Sequence, residues 1–323
     1  MAYNSLISRT DAAALIPEDA STEILKTLPE TSIVMRLARR LTDMSVKQRR
    51  LPVMSALATA YFVSGDSGLK QTSEVNWANK YIEAEELAVI VPVPEAVLDD
   101  ASFDIWGEVR PALIEAFGVA IDQAVLYGTN IPASWTTNLG AAGLVALSTA
   151  AGNTVSAAAY TDLYEALLGE TAGAVSGSLG LLEADGFMAT GHVADMSMKR
   201  KLRNVRSTVG DPIFRTNMQD STRYDLDGSP IYFPVNGAIS AATAWIVSGQ
   251  WNQLVYALRQ DITYKVLDQA VIQDAGGNTI YNLAQQDMVA LRAVMRLGFA
   301  LPNPINRMQQ TAASRAPFAV LTA

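Results

Sequence analysis

The sequence has no cysteine and only one histidine, His192. Disulfide frameworks, zinc fingers, thiol nucleophiles, iron–sulfur clusters and sites built on several histidines are thereby excluded, leaving oxygen-ligand ions and carboxylate chemistry. Charge is also scarce: 17% of the 323 residues are charged, where roughly a quarter is usual. Half of the residues are hydrophobic and the mean hydropathy is +0.15. Even so, no long apolar run is present. The longest strongly apolar stretch, Leu87 to Val93, contains Pro92 and is far shorter than the roughly 20 residues of a spanning helix. Met1 to Asp19 has neither a basic region before an apolar core nor a small-residue cleavage site, so a cytosolic protein is expected. Glycine-rich phosphate loops, an HExxH motif and internal repeats are missing as well.

The charge that is present is unevenly placed. Residues 1–50 carry 8 basic and 6 acidic side chains, residues 51–130 carry 3 and 12, and residues 131–323 carry 13 and 14. The net charge of -8 therefore lies almost wholly in the second segment. Between Gln123 and Thr161 there is no charged residue at all, while Gly, Asn, Thr, Pro and Ser are frequent, a stretch expected to form buried or interfacial loops. Two basic clusters stand out: Arg36, Arg39, Arg40, Lys47, Arg49 and Arg50, then Lys199, Arg200, Lys201, Arg203 and Arg206. Such clusters can contact phosphates through counterion release. A pI near 4.8 favours the plainer reading, a solvated face or a partner for the acidic segment of another subunit, because nucleic-acid-binding domains tend to a pI above about 9.

Residues 1–47 read as an arm with short helices at Glu18–Leu28 and Ser32–Leu41, separated at Leu28-Pro29 because proline disfavours helix in the residue before it. From Leu51 the pattern becomes extended: Leu51 to Ser64, a turn at Gly65-Asp66-Ser67-Gly68, and a return from Leu69 to Val93. Val75, Trp77, Asn79 and Tyr81 alternate with Glu74, Asn76, Ala78 and Lys80, giving one largely apolar face. A two-stranded ribbon this long is marginal alone, so its apolar face must lie on something else. Asp104 to Tyr127 carries Ile105, Val109, Leu113, Phe117, Ile121 and Val125 at i+4 spacing, predicting a helix of roughly 36 Å, capped by Asp104 or Ser102, bent near Pro111 and ended by Gly128. Further on, a helix is expected near Tyr160–Thr171, a strand near Gly186–Ala189, a basic helix near His192–Arg206 and a turn at Asp227-Gly228. Strands are expected at Ala244–Val247, Leu254–Leu258, Ile262–Leu267 and Met288–Leu301. The mixture is α+β.

Gly65-Asp66-Ser67-Gly68 also matches the tetrapeptide around the nucleophile of chymotrypsin-like proteases, but His192 lies after the serine, against that family's order. A hairpin turn explains it better, and a structural role is expected for His192. Glu83, Glu85 and Glu86, with Asp99, Asp100 and Asp104, could bind a hard cation or act as an acid–base pair, but solvated strand ends and helix capping explain them more simply. No catalytic, cofactor-binding or metal-ligating residue is assigned.

Gly68-Leu-Lys-Gln-Thr72, Trp77, the block Ala84 to Asp100 (AEELAVIVPVPEAVLDD) and Asp104-Ile-Trp106 together resemble the major capsid proteins of tailed bacteriophages, the Hong Kong 97 fold. Ile16-Pro17, Glu23-Ile24, Leu28-Pro29-Glu30 and Leu37-Ala38-Arg39 resemble that family's N-terminal arm; Asp287 to Arg292, Arg296 and Pro302-Asn-Pro304 resemble its closing strand. The resemblance implies an arm (1–47), an extended β-hairpin loop (48–92), a peripheral domain (93–135 and 255–304) with spine helix 104–127, and an axial domain (136–254 and 305–323). It further implies a non-enzymatic shell protein of the virion, assembled in the host bacterial cytoplasm. The protein would form pentamers and hexamers of an icosahedral head around double-stranded DNA, without sequence-specific binding, cofactor or membrane. The arm-like sequence begins almost at Met1, where other members carry a scaffolding segment, so a separate scaffolding protein, or none, is implied; portal and decoration proteins are the further partners such a shell can take. An encapsulin-type compartment enclosing enzyme cargo is the alternative on the same fold. Some members join a loop lysine to a neighbour's asparagine; Lys70 and Lys80 are the loop's lysines here, and with no asparagine or activating glutamate matched, that chemistry is not carried over. The expected inter-subunit contacts are the cations Arg36, Arg39, Arg40, Arg49 and Arg50 against the acidic region containing Glu83, Glu85, Glu86, Asp99 and Asp100, with Lys70, Trp77 and Lys80 on the loop.

Overall fold

The computed structural model describes residues 31–63, 68–100, 104–160, 162–169, 177–205 and 225–323. The expected helix Glu18–Leu28, the turn residues Gly65–Ser67, the end of the helix expected to reach Thr171, Ser102 and Arg206 lie outside these residues.

Helix α1 (Ile33–Leu37) opens the described chain, with Ser32 as its N-cap. It stops short of the expected Leu41. Ala38 is already extended, and the Arg39 N–H donates to the Leu254 carbonyl, so Arg39–Arg40 becomes strand β1 instead. Next come β2 (Gln48–Ala56), β3 (Asn76–Glu83) and β4 (Glu85–Pro94). Strands β2 and β3 form a two-stranded antiparallel ribbon. The expected single return limb from Leu69 to Val93 is thus divided at Ala84: its second half leaves the ribbon because Leu87, Val89 and Val91 all face one side, where they join the main core.

A short helix, α2 (Glu95–Asp100), leads to α3 (Ile105–Tyr127), the long helix expected from the apolar stripe. Asp104 occupies the N-cap position but makes no side-chain cap hydrogen bond, and the helix continues through Pro111. Gly128 ends it at φ +70°, where a Cβ would lie 2.6 Å from the Ala142 Cα, so both conformation and space require glycine. The charge-free stretch then forms helices α4 (Ala133–Leu139) and α5 (Gly143–Ala151) rather than loops. Trp135, Leu139, Leu144 and Val145 turn inward. The hydroxyls of Ser148 and Thr149 donate to carbonyls four residues back, Leu144 and Val145, and so fit within a helix.

The remaining elements are β5 (Thr154–Ser156), α6 (Leu163–Leu168), α7 (Ser178–Ala184), β6 (Gly191–Ala194), α8 (Met196–Asn204), β7 (Asp225–Leu226), β8 (Ser229–Tyr232) and β9 (Ile246–Gly249). Then follow β10 (Val255–Leu267), β11 (Val271–Gln273), β12 (Thr279–Asn282), β13 (Met288–Ala300) and β14 (Phe318–Thr322). The strand expected at Gly186–Ala189 lies instead at β6, which takes His192 out of the basic helix. The two strands expected within 254–267 are one, interrupted by bulges near Gln260. Neither α7 nor β14 was expected.

Two sheets organise the chain. One has the order β1-β10-β13-β4, the other β5-β14-β9-β6-β8-β7; β11 and β12 form a separate hairpin. A single core cluster runs from Leu113, Phe117 and Ile121 of α3 across the first sheet to Val247, Trp251 and Phe318 beside the second. Trp135 and Phe299 meet edge-on at 5.4 Å, as do Trp251 and Phe318 at 5.1 Å.

Asp122, fully buried on α3, holds the arm's helix in place. Its carboxylate accepts from the Ser32 hydroxyl at 2.5 Å and from the Ile33 and Val34 N–H groups at 3.0 Å each. These amides would otherwise lack partners at a helix start. Burial pushes the carboxyl above the ordinary aspartate range, against the downward pull of these hydrogen bonds. Asp122→Asn sets an amide N–H against one of these donors, and it is expected to cost about 2–4 kcal/mol by denaturant unfolding; Ser32→Ala should cost about 1 kcal/mol.

Candidate inter-subunit contact surface

The ribbon presents two different faces. Arg49, Leu51 and Val53 lie opposite Ile82, Lys80 and Ala78, and at the root this side packs inward, with Ile82 and Ala84 fully buried against Ala257 and Ala300. Arg50, Pro52 and Met54 lie opposite Tyr81, Asn79 and Trp77, and this side is open to solvent. Trp77 is 68% exposed there. Beyond Ala56 the two limbs continue without a ladder, tied by the Thr59 N–H to Ser73 Oγ at 2.8 Å and by the Tyr61 hydroxyl to the Gln71 carbonyl at 3.0 Å. Phe62 and Leu69 stand out from this extension, 105% and 89% exposed, and Lys70 is exposed beside them. Lys80 is half-buried, across from Leu51. The sequence pattern identified Trp77 and Tyr81; Phe62 and Leu69 were missed because no alternation marks them.

Several of the expected contact residues are engaged within their own chain. Lys47 Nζ lies 3.6 Å from Glu85 Oε1, and Gln48 donates to Glu83 at 2.9 Å. Glu85 also accepts from Ser134 Oγ at 2.8 Å. Arg40 pairs with Asp43 at 2.9 Å, and Arg49 donates to the carbonyls of Thr42 and Asp43 at 2.7 and 2.8 Å, closing its own turn. The Arg36 guanidinium lies 4.9 Å from the Tyr232 ring centroid. Among the described residues Arg39 and Arg50 have no side-chain partner, and neither do Glu95, Asp99 and Asp100 on α2. The second basic cluster lies on α8, where Lys201 stacks on Trp245 and Lys199 on Phe233, with Arg200 and Arg203 exposed.

His192 sits inside β6 with no exposed surface. Its Nδ1 is 2.8 Å from Ser248 Oγ and its Nε2 is 3.2 Å from the Leu226 carbonyl, so the neutral ring donates from Nε2 and accepts at Nδ1. Both nitrogens are committed to partners inside the chain. Burial lowers its pKa to about 4. Among the described residues, no group of three or more acidic or histidine side chains is placed to hold a metal ion.

An aromatic ribbon reaching away from a two-sheet body, beside unpaired charges of both signs, defines a structural subunit built to meet others. The chain matches the model of the phage capsid family over residues 12–306 and belongs to that family. The major capsid protein of Staphylococcus phage 80alpha is 27% identical over 286 residues, which cover 86% of this chain and 78% of that protein. A solved chain of Microbacterium phage Oxtober96 is 32% identical with a TM-score of 0.81, covering 98% of this chain and 99% of that one. A chain of Mycobacterium phage Bobi is 31% identical with a TM-score of 0.79 and the same coverage. The capsid of a native GTA particle, 17% identical with a TM-score of 0.62 and full coverage of both chains, shares the fold. Family and relatives give the chain a shell-forming structural role in the virion, with self-association, and its mixed helices and strands match those of its structural neighbours.

The lowered pKa of His192 predicts a pH dependence of stability. Because the unfolded histidine takes up a proton near pH 6.5 and the folded one only near 4, stability is complete above pH 6.5 and falls as pH drops through that window. The loss is at most about 3 kcal/mol, at about 1.4 kcal/mol per pH unit. Denaturant midpoints at pH 7.0 and 4.5 should therefore diverge more for the wild type than for His192→Gln; equal divergence would remove His192 as the cause.

Proposed function

We propose that this chain builds an icosahedral phage head from pentamers and hexamers of itself, enclosing double-stranded DNA, and that the head is assembled in the bacterial cytoplasm. In this reading residues 1–47 are the arm, 48–92 the extended loop, 93–135 with 255–304 the peripheral domain, and 136–254 with 305–323 the axial domain. The observation that carries it is the ribbon, whose outer face leaves Met54, Trp77 and Tyr81 exposed among the described residues. At roughly 25 cal/mol per Å² of apolar area, burying that face and Phe62 and Leu69 on a neighbour supplies an association free energy, an upper figure because ordering the ribbon opposes it. A sequence pI near 4.8 fits a container rather than a DNA-binding protein. Scaffolding, portal and decoration proteins are the heterologous partners this role calls for.

The cations at the ribbon root and the acidic region 83–100 lie at inter-subunit boundaries in this proposal. Since Arg40, Arg49 and Lys47 are engaged within the subunit, Arg39 and Arg50 are the cations left for a neighbour. Electron microscopy of the purified assembly should show closed shells, either holding DNA or formed empty before filling; shells enclosing an enzyme would assign the chain to a cargo compartment. Arg39→Glu combined with Arg50→Glu should cut shell yield at least tenfold while the monomer melts normally. Unchanged shell yield would remove these two residues from the contact.

A further inference from the structure

We propose that the uncovered face of the four-stranded sheet is a docking surface for the acidic helix α2 of a second copy of this chain, an inference that rests on the shell-building reading above. The register of the three long strands defines the face. Lys265, Arg292 and Ile90 lie in one cross-strand row, Thr263, Val294 and Ala88 in the next, and Gln260, Arg296 and Glu86 in the third. Directly opposed residues share a side of a sheet. The intervening rows, Tyr264–Ala293–Val89 and Val266–Leu291–Val91, point the other way, where Val89, Val91, Leu291 and Ala293 join the core and Arg110 of α3 reaches the Tyr264 ring.

The ribbon root covers only one end of this face. Ile82 and Glu83 crowd Gly298 so closely that a Cβ there would lie 2.4 Å from the Glu83 carbonyl oxygen, and Ala257 and Ala300 are buried beside it. The rest, with Ile90 41% exposed, has no cover among the described residues. Three cations stand on this remainder with one acid. Arg296 Nε is 3.9 Å from Glu86, too far for a hydrogen bond, and the Nε atoms of both Arg292 and Arg296 are buried without a hydrogen-bond partner. Lys265 has no partner among the described residues.

The matching surface is on the same molecule. Helix α2 carries Glu95, Asp99 and Asp100, without partners among the described residues, and an exposed Val97. Cations interleaved with Ile90, Ala88 and Val294 suit a segment offering both carboxylates and an aliphatic side chain; a nucleic-acid backbone offers no apolar match, and no aromatic of this face is available for base stacking. Since the two surfaces differ, the contact is head-to-tail, the kind that generates rings of copies.

The chain's lack of cysteine allows a direct test. Val97→Cys with Val294→Cys places the two thiols on the proposed partners. Within one chain they cannot bridge, because Val294 pairs with Ala88, six residues and about 20 Å along β4 from Pro94, where α2 begins. Assembled shells of this variant, oxidised, should yield a ladder of disulfide-linked chains on a non-reducing gel, absent from either single variant. Shells that form but run as monomers overturn the proposal and leave the shell reading standing, whereas a wild type forming no shells removes that reading itself. Independently, Lys265→Glu with Arg292→Glu should lower shell yield at least tenfold with an unchanged monomer melt, and adding Asp99→Lys and Asp100→Lys should restore it. Undiminished yield, loss without restoration, or normal shells holding less nucleic acid would each overturn the assignment.

Discussion

A β-sheet has two faces, and the described residues of this subunit cover one side of the four-stranded sheet far more than the other. Strand β13 is paired along its length, with β10 on one side and β4 on the other, and the three strands together present Leu87, Val89 and Val91 of β4, Leu291, Met295 and Leu297 of β13, and Tyr256 and Leu258 of β10 to the core. The long helix packs over most of that side, leaving Tyr264 and Val266 of β10 partly open at its margin. On the opposite side the only cover among the described residues is the ribbon root, and it reaches just far enough to bury Ile82 and Ala84 over Ala257, Gly298 and Ala300. The arm latch, the ribbon's direction and the exposed charge all follow from how this half-covered sheet is held and finished.

The polar groups inside the subunit are fixed as firmly as its apolar ones. Asp122 binds the first amides of α1, and Asp185 holds Asn153 at 2.8 Å and the Ala316 N–H at 3.0 Å, joining three distant parts of the chain. Arg315 is buried with its guanidinium donating to the carbonyls of Asn303, Gln309 and Gln310 and to the Asn303 side chain. A buried cation satisfied by carbonyl oxygens folds the loop before β14 around itself, and burial lowers its pKa accordingly. Each group would be costly if left unpaired, so each permits few alternative arrangements. The body is therefore specified by local geometry, whereas the surfaces left for neighbours are specified mainly by charge and apolar area.

The elements legible in the sequence were those whose pattern answers to one neighbour. The i+4 stripe of α3, the alternation of the ribbon's second strand and the long apolar β13 each reflect a single packed face. What escaped reading depends on distant partners. Arg39 and Arg40 look like a helix end until β10 offers its carbonyls. His192 looks like a helix start until Ser248 and Leu226 claim its two nitrogens. The stretch from Gln123 to Thr161 resembles a loop by composition, yet its hydroxyls turn back onto helix carbonyls. At the proposed contact surface the sequence showed the charged clusters and the alternation that exposes Trp77, but it could not say which charges the subunit neutralises itself. That required the Lys47–Glu85 and Arg40–Asp43 distances.

The sheet edges explain why such a molecule need not form fibres. Strand β4, an outer strand, carries Pro92 and Pro94, which have no N–H to donate. On the opposite side β10 meets β1 only at Val255 and Tyr256, and its remaining edge is broken by bulges and bears Asp261 and Lys265. The six-stranded sheet ends in β5 and β7, of three and two residues. Short, charged, bulged or proline-bearing edges resist strand-to-strand addition. Open-ended sheet extension is thereby disfavoured, which is compatible with the proposed association through the ribbon and the sheet face. The low charge and positive hydropathy of the sequence are consistent with that division: much of the apolar surface fills the buried clusters, and a separate portion, led by Phe62, Leu69 and Trp77, is held out on the ribbon, uncovered among the described residues.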